Sequence, residues 1–371
     1  MPQLFGANEL VADVHDRQLC IGCGACVDLC PYFKNYKGKT SQLFACNLPQ
    51  GRCFAYCPKV EVDLDWLYRQ QYNVAYDGSA LGPFLKIAAA RAGAQMTKGR
   101  YQGGGVVSAL MAFALKNNLV DVAVLTRREG LSPAPVLVTR WEDVVQCAGS
   151  KFMAAPTLAG LNQAVKQGFQ KVGVVGTPCQ MTAVAQMRTN PLQKEEHHVP
   201  VALAIGLFCN WSLDTRQLTD LLAEKLDIER IDGMDIPPPP ANVMVLKTDE
   251  GDKEIPLSEI KPLIPHTCFT CLDMTSELAD LSVGMYEGRP EWNTLIIRSQ
   301  KGQSLVDTAV NEGFVELEAM PEEVVTHLSG AAAAKKERSM RILRQRGLIN
   351  STNGTHAAVR MPEAVAKRIL P

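Results

Sequence analysis

The sequence predicts an α/β protein in two parts: a small cysteine-rich module, then a larger domain of helices packed on a sheet. Seven of the twelve cysteines fall between residues 20 and 57. Beyond residue 100, stretches of helical hydrophobic period alternate with short β-branched runs, the pattern of helices laid on a sheet. The length of 371 residues suffices for a small module plus one domain with a substantial core.

Cys20, Cys23, Cys26 and Cys30, followed by Pro31, have the spacing C-x2-C-x2-C-x3-C-P. This is the run of bacterial ferredoxins, in which three thiolates hold one 4Fe-4S cube and the fourth reaches a neighbouring one. Such a loop needs residues small enough for backbone amides to approach the cluster, and Gly22, Gly24 and Ala25 supply that room. Four thiolates also hold zinc, but zinc motifs usually come as two separated C-x2-C pairs. Cys46, Cys53 and Cys57 precede Pro58, with Leu43 where a further cysteine could have stood. Cys57 most simply completes the cube begun by Cys20, Cys23 and Cys26, which leaves Cys30, Cys46 and Cys53 for a second cluster. That cluster is one ligand short. It could be a three-iron species, borrow a ligand from elsewhere or from a partner, or not exist.

Thirty-eight basic against thirty-nine acidic residues leave a net charge of -1, which implies no field for nucleic acid or a membrane surface. The amino terminus is acidic where a signal peptide would be basic, and the longest apolar runs, such as Val201 to Phe208, fall far below the roughly 20 residues that span a bilayer. The expectation is a soluble, cytoplasmic protein without a membrane span. Cytosolic thiols are kept reduced, so its cysteines are better explained as metal ligands than as disulfides.

Residues 58 to 76 lose cysteine and gain aromatics, and read as a connector leaving the module, which occupies residues 1–76. The larger domain, residues 77–328, is expected to carry a helix over Gly105 to Asn117, a strand over Val122 to Leu125 and a helix over Leu158 to Gln167. A strand over Lys171 to Val175, a helix over Thr182 to Arg188 and a buried strand over Pro200 to Phe208 follow. Val243 to Lys247 and Lys253 to Leu257 read as a hairpin, preceded by a stiff connector at Pro237 to Pro240. Residues 329–371 form a helical tail whose basic stretch, 331 to 346, reads as a solvated helix, or alternatively as a docking element for a partner.

Cys179 lies in GTPCQ, after the strand KVGVV and before a helix. Its sulfur is therefore expected at the mouth of the sheet, where open α/β sheets place ligands. The helix amino terminus is expected to lower its thiol pKa. Cys209 ends the strand VALAIGLF, and Cys268 and Cys271 form a C-x2-C pair. These four are candidates for a further 4Fe-4S cluster inside the large domain, although buried free cysteines are also ordinary core residues. Cys147 is left over and reads as core. Gly103, Gly104 and Gly105, with Val106, Val107 and Ser108, open a helix where backbone amides can crowd a phosphate or the edge of a flavin. Gly149, Ser150 and Lys151 make a second turn with a hydroxyl and an ammonium suited to a pyrophosphate. Taken singly, either is also an ordinary turn.

Together, GGGVVSALMAFAL, AGSKF, VVGTPCQ, GLFC, CFTCLD and ELADLSVG resemble the β subunit of coenzyme F420-reducing hydrogenase and its dehydrogenase relatives, over about residues 78 to 320. The motifs stand in the family's order, and the 30-residue step from Cys179 to Cys209 also matches. The resemblance implies an FAD-binding α/β domain with a 4Fe-4S cluster. It implies an oxidoreductase subunit that exchanges hydride with a soluble carrier, coenzyme F420, at FAD and passes single electrons through iron-sulfur clusters to a partner. Carried over residue by residue, Cys179, Cys209, Cys268 and Cys271 hold the cluster nearest the flavin. Gly103 to Ser108, Gly149, Ser150, Lys151, Thr177, Pro178 and Gln180 form the FAD cradle, and Asp280, Ser282 and Gly284 line the same cavity. No catalytic acid or base is needed for hydride passing between stacked rings. The family's plain hydrogenase subunits lack the front module, so its presence resembles F420H2-oxidising subunits that feed larger complexes, with hydrogenase or heterodisulfide reductase as candidate partners. FAD and two 4Fe-4S clusters are expected, with a third left open by the outer cysteines. A second branch of the family reduces tetrapyrrole side groups with electrons from ferredoxin, and a non-enzymatic electron relay is the reading from another class.

Overall fold

The computed structural model describes residues 3–96, 101–238, 240–351 and 358–370. Its centre is one sheet of eight strands: β1 (Lys86–Ala92), β2 (Val122–Glu129), β3 (Ser132–Val138), β4 (Val172–Gly176), β5 (Val201–Leu207), β6 (Leu281–Met285), β7 (Asn293–Ile297) and β8 (Val315–Ala319). Their order is β8-β1-β7-β6-β5-β4-β2-β3. The four central strands β6, β5, β4 and β2 run parallel. The flanking pairs are antiparallel.

Both faces of this sheet are covered, which explains its continuous apolar strands. Successive strand residues point to opposite faces, and the two cores divide accordingly. Ala123, Leu125, Leu203 and Ile205 belong to one, while Val122, Val124 and Ala204 belong to the other. The first core is filled by α1 (Val106–Lys116), in which Val106 and every residue from Ser108 to Leu115 are buried, and by the helix Gln300–Asn311. A helix apolar all round belongs inside. The second core holds α2 (Thr157–Lys166) and α3 (Pro178–Arg188).

The cysteine-rich module packs on this second layer. Leu158 donates its backbone N–H to the Cys23 carbonyl at 3.0 Å. Asn162 Nδ2 donates to the Ala25 and Val27 carbonyls at 3.1 and 2.7 Å. Gly24, at φ +84°, lies so close that a Cβ there would sit 2.6 Å from the Pro156 carbonyl oxygen. A module of this size buries too little apolar surface alone, and the rest comes from the other end of the chain. Met340, Leu343, Leu348, Met361 and Val365 share one core with Leu10, Leu19, Phe33 and Phe54.

That packing corrects two expectations. The stretch 58 to 76 is a folded element rather than a connector: Val62–Asp63 pairs with Val359–Arg360, and the helix Leu64–Tyr72 buries Leu67 and Tyr68. The basic tail is not a solvated helix either. It belongs to α4 (Glu322–Gln345), which begins before the expected boundary at residue 329 and buries Lys335 and Lys336 at 4% and 2% exposure.

The hairpin Val243–Thr248 and Lys253–Pro256 forms as expected but joins Ile231–Asp235 in a separate three-stranded sheet. Of the proline connector, Pro239 lies outside the described residues. No helix among the described residues is long and apolar enough to cross a membrane.

Candidate redox site

The carboxyl ends of the parallel strands open into a cavity of about 1010 Å³, at the upper end of the roughly 300–1,000 Å³ usual for cofactor sites. Gly103, Gly105, Val106, Val107 and Ser108 form one wall, and Gly149, Ser150 and Lys151 form another. Thr177, Pro178 and Gln180 close the end of β4. Positive φ at Gly103 (+78°) and Gly105 (+73°) turns the chain into α1. At Gly105 a Cβ would meet the Tyr101 ring at 2.8 Å, so only glycine fits. α3 starts in a capping box in which Gln180 Oε1 accepts from Thr177 N at 2.9 Å. Gln180 Nε2 donates to the Ala155 carbonyl at 2.9 Å, tying the cavity floor to the turn before α2.

Not every expected residue faces this space. Gly284 does, but Asp280 and Ser282 do not. Asp280 is buried in an ion pair with Arg188, 2.6 Å, and also accepts from Ala204 N at 2.8 Å. Ser282 Oγ receives Arg298 Nε at 2.6 Å and donates to the Ser276 carbonyl. Both brace β6 from behind. Gly104 is likewise off the cavity wall, hydrogen-bonded through its carbonyl to Ala92. Conversely, Cys147 is no pure core residue: it is half-buried and lines the cavity beside Lys151. Lys151 Nζ donates to the Gly149 carbonyl at 2.8 Å, and burial lowers its pKa to about 8.

The cysteines gather into three sets. Burial pushes the Cys23 and Cys26 thiols well up, and the charges of Cys57 and Cys20 push them further. Burial raises Cys53 to about 11, with Cys30 and Cys46 as its charged neighbours. Burial also raises Cys209, whose neighbours are Cys179, Cys268 and Cys271. Cys23 feels Cys179 and Cys26 feels Cys53, so the set of Cys20, Cys23, Cys26 and Cys57 neighbours both of the others. Cys179 itself is raised to about 12, by burial first and then by Cys271. The expected lowering by the α3 amino terminus is thus outweighed, because desolvation penalises a bare thiolate more than the helix end rewards it.

Two sets of four thiols, Cys23 and Cys26 buried and the rest half-buried, with no carboxylate among them suit a soft, sulfur-preferring metal group. Among the described residues no three such side chains converge as they would on a single ion. What fits these sets to 4Fe-4S clusters is the chemistry of the donors, four cysteine thiols in each. The third set has three cysteines, and the residues around it, Leu43, Phe44 and Leu48, are exposed.

Two models describing the coenzyme F420 hydrogenase/dehydrogenase β subunit, its N-terminal and C-terminal parts, match residues 87–162 and 169–323. A 4Fe-4S binding domain matches residues 13–32. The chain belongs to the family of coenzyme F420 hydrogenase/dehydrogenase β subunits. It is 28% identical to the β subunit of the coenzyme F420 hydrogenase of Methanothermobacter thermautotrophicus, over 72% of this chain and 98% of that one. It is 27% identical to a subunit of the F420H2 dehydrogenase of Methanosarcina mazei, over 81% and 85%. Among solved structures, a chain of the F420-reducing [NiFe] hydrogenase complex of Methanosarcina barkeri superposes with a TM-score of 0.64 at 25% identity, covering 72% of this chain and 95% of that one. Membership of this family makes the protein an oxidoreductase with an iron-sulfur module at its front.

Sequence reasoning missed several residues of the site. Asn293, at the start of β7, accepts from Val106 N at 3.3 Å and donates to the Gly284 carbonyl at 3.1 Å, holding the α1 start against β6. Lys59, from the module, donates to the Thr270 hydroxyl in the turn of Cys268, and Lys335, from α4, donates to the Cys209 carbonyl. Burial opposes the charge of Lys335, but Cys271 and Cys209 outweigh it and raise its pKa. A lone asparagine or lysine carries no spacing signal, so no pattern in the chain could have announced them.

Proposed function

We propose that this family member binds FAD in the cavity, exchanges hydride there with a soluble two-electron carrier, most simply coenzyme F420, and passes electrons singly through 4Fe-4S clusters to a partner complex. The reading is carried by one observation: Cys179, Cys209, Cys268 and Cys271 of the large domain and Cys20 and Cys23 of the module open onto the same cavity. When bound, FAD supplies the conversion between a hydride pair and single electrons, and the clusters supply one-electron steps.

The chain's own residues bind and orient. The α1 amino terminus, reached through Gly103 to Gly105, offers amides to a phosphate. Lys151 offers a half-buried cation in the same cavity, and Thr177 with Gln180 holds Cys179 at the cavity floor. Cys179, Cys209, Cys268 and Cys271 are the ligands of the flavin-side cluster, and Cys20, Cys23, Cys26 and Cys57 those of the next. Cys30, Cys46 and Cys53 form the outermost set. Exposed Leu43, Phe44 and Leu48 make the face around it the natural exit to a partner subunit.

The test uses the full chain, reconstituted without oxygen. The expectation is flavin together with iron and acid-labile sulfide, and bleaching of the flavin by reduced F420. Bleaching by NADH or reduced ferredoxin but not by reduced F420 would replace the carrier, and a colourless protein would remove the proposal.

A further inference from the structure

Two buried lysines that no flavin or cluster ligation uses are bound to the loops that carry the cysteines. Lys59 is 6% exposed and lies two residues after Cys57. Its Nζ donates to Thr270 Oγ1 at 2.8 Å and to the Thr267 carbonyl at 3.3 Å, in the turn that carries Cys268. Thr267 Oγ1 in turn donates to the Leu19 carbonyl at 2.7 Å, immediately before Cys20. Lys59 is therefore clamped where the loops of two cysteine sets meet. Lys335, on α4, donates to the Cys209 carbonyl at 2.6 Å and to the Asp273 carbonyl at 2.7 Å. One turn on, Ser339 Oγ donates to the Cys271 carbonyl at 2.8 Å. Both lysines lie outside residues 87–162 and 169–323, the stretches that match the β-subunit models.

We propose that Lys59 and Lys335 are charge-tuning residues that set the order of reduction potentials along the clusters, Lys59 acting on two of them and Lys335 on the flavin-side one alone. The proposal rests on the cluster assignment made above. A cluster that accepts one electron passes from [4Fe-4S]2+ to [4Fe-4S]+ on unchanged thiolates, so its only change is one added negative charge. No bond or proton moves, and the electron comes from the reduced flavin. A fixed ammonium held in a water-poor interior stabilises the reduced form more than the oxidised form, because Coulomb interactions are stronger there than in water. Net charge and hydrogen bonding around the sulfurs are among the levers on cluster potential. With two lysines beside it, the flavin-side cluster becomes the ready acceptor for electrons leaving the cavity. Lys59, shared with the middle cluster, raises that potential as well and so limits how far uphill the next step runs.

Redox titration of the anaerobically reconstituted full chain, followed by electron paramagnetic resonance with iron and sulfide counted, tests this. Lys335→Gln keeps a donor and removes the charge. It should make the flavin-side cluster about tenfold or more harder to reduce, a fall of about 59 mV for one electron, and leave the middle cluster unmoved. Lys59→Gln should lower both, and Lys→Arg at either position should restore the original potentials. Unchanged potentials in both Gln variants with full iron content, or equal shifts from Gln and Arg, would overturn the proposal. If the Gln variants lose their clusters, the unmodified chain decides: the flavin-side cluster should titrate above the middle one, and the reverse order sinks the idea. An unmodified chain without iron and sulfide would instead refute the underlying assignment, before any variant is compared.

Discussion

Lys336 Nζ lies 2.8 Å from Glu277 Oε1, and both side chains are almost entirely buried, at 2% and 4% exposure. Glu277 also accepts the Tyr68 hydroxyl, and Lys336 donates to the Ser79 carbonyl at 2.7 Å. This cluster joins three distant parts of the chain: the module's helix Leu64–Tyr72, the loop before β6, and α4.

Removing one member leaves an unpaired charge in a place without water. Lys336→Met should therefore lower stability by about 3–5 kcal/mol, read as an earlier denaturation midpoint of the flavin-free chain. Adding Glu277→Gln to that variant should recover a good part of the loss, since the stranded carboxylate is gone. A double variant no more stable than Lys336→Met would show that packing rather than charge pairing is at stake.

The cysteine sets predict metal content. Cys271→Ser should cost about four irons per chain, one cube's worth, and Cys57→Ser should cost the same from the middle set. Cys147→Ser should leave iron unchanged, because Cys147 faces the cavity apart from the three sets. Iron and sulfide analysis of the reconstituted variants separates these outcomes.

Gly284 faces the ring of Phe208 so closely that a Cβ would fall 1.8 Å from Phe208 Cδ2. Both residues line the cavity, so Gly284→Ala should drive the ring into the space assigned to the flavin. Flavin binding should weaken about tenfold, or about 1.4 kcal/mol, while iron content holds. Fluorescence titration with FAD reads the first effect and metal analysis the second.

Lys151 yields a pH dependence. Burial lowers its pKa from the usual 10.5 to about 8, so the flavin-free folded chain gives up this proton before the unfolded chain does. Between those values the unfolded state binds more protons, and stability must rise with pH. Below pH 8 the cost of burying the ammonium is fully present. Lys151→Met should flatten that rise between pH 8 and 10.5, measured as denaturation midpoints across the series, and an unchanged slope would contradict it.

The local features of the chain were readable without coordinates. The helix over 106–116, the strands over 172–176 and 201–207, and the hairpin after Val243 follow from hydrophobic period and turn residues, which act over a few positions. So does the spacing of Cys20, Cys23 and Cys26, because a single loop must present three sulfurs to one body. The antiparallel strand β3 was missed, since Ser132–Val138 carries two prolines and weak alternation and is held as an edge by its partner β2.

Tertiary structure alone decided what lies far apart in the chain. Asp280 and Ser282 sit in the expected motif, yet Arg188 and Arg298 claim them as braces. The basic tail looks solvent-loving, yet it folds back to complete the module's core and to bring Lys335 to Cys209, 126 residues away in sequence. Period and spacing reflect geometry within a few residues. Which distant charge is buried beside which thiol depends on the packing of whole elements, and no short stretch of sequence encodes it.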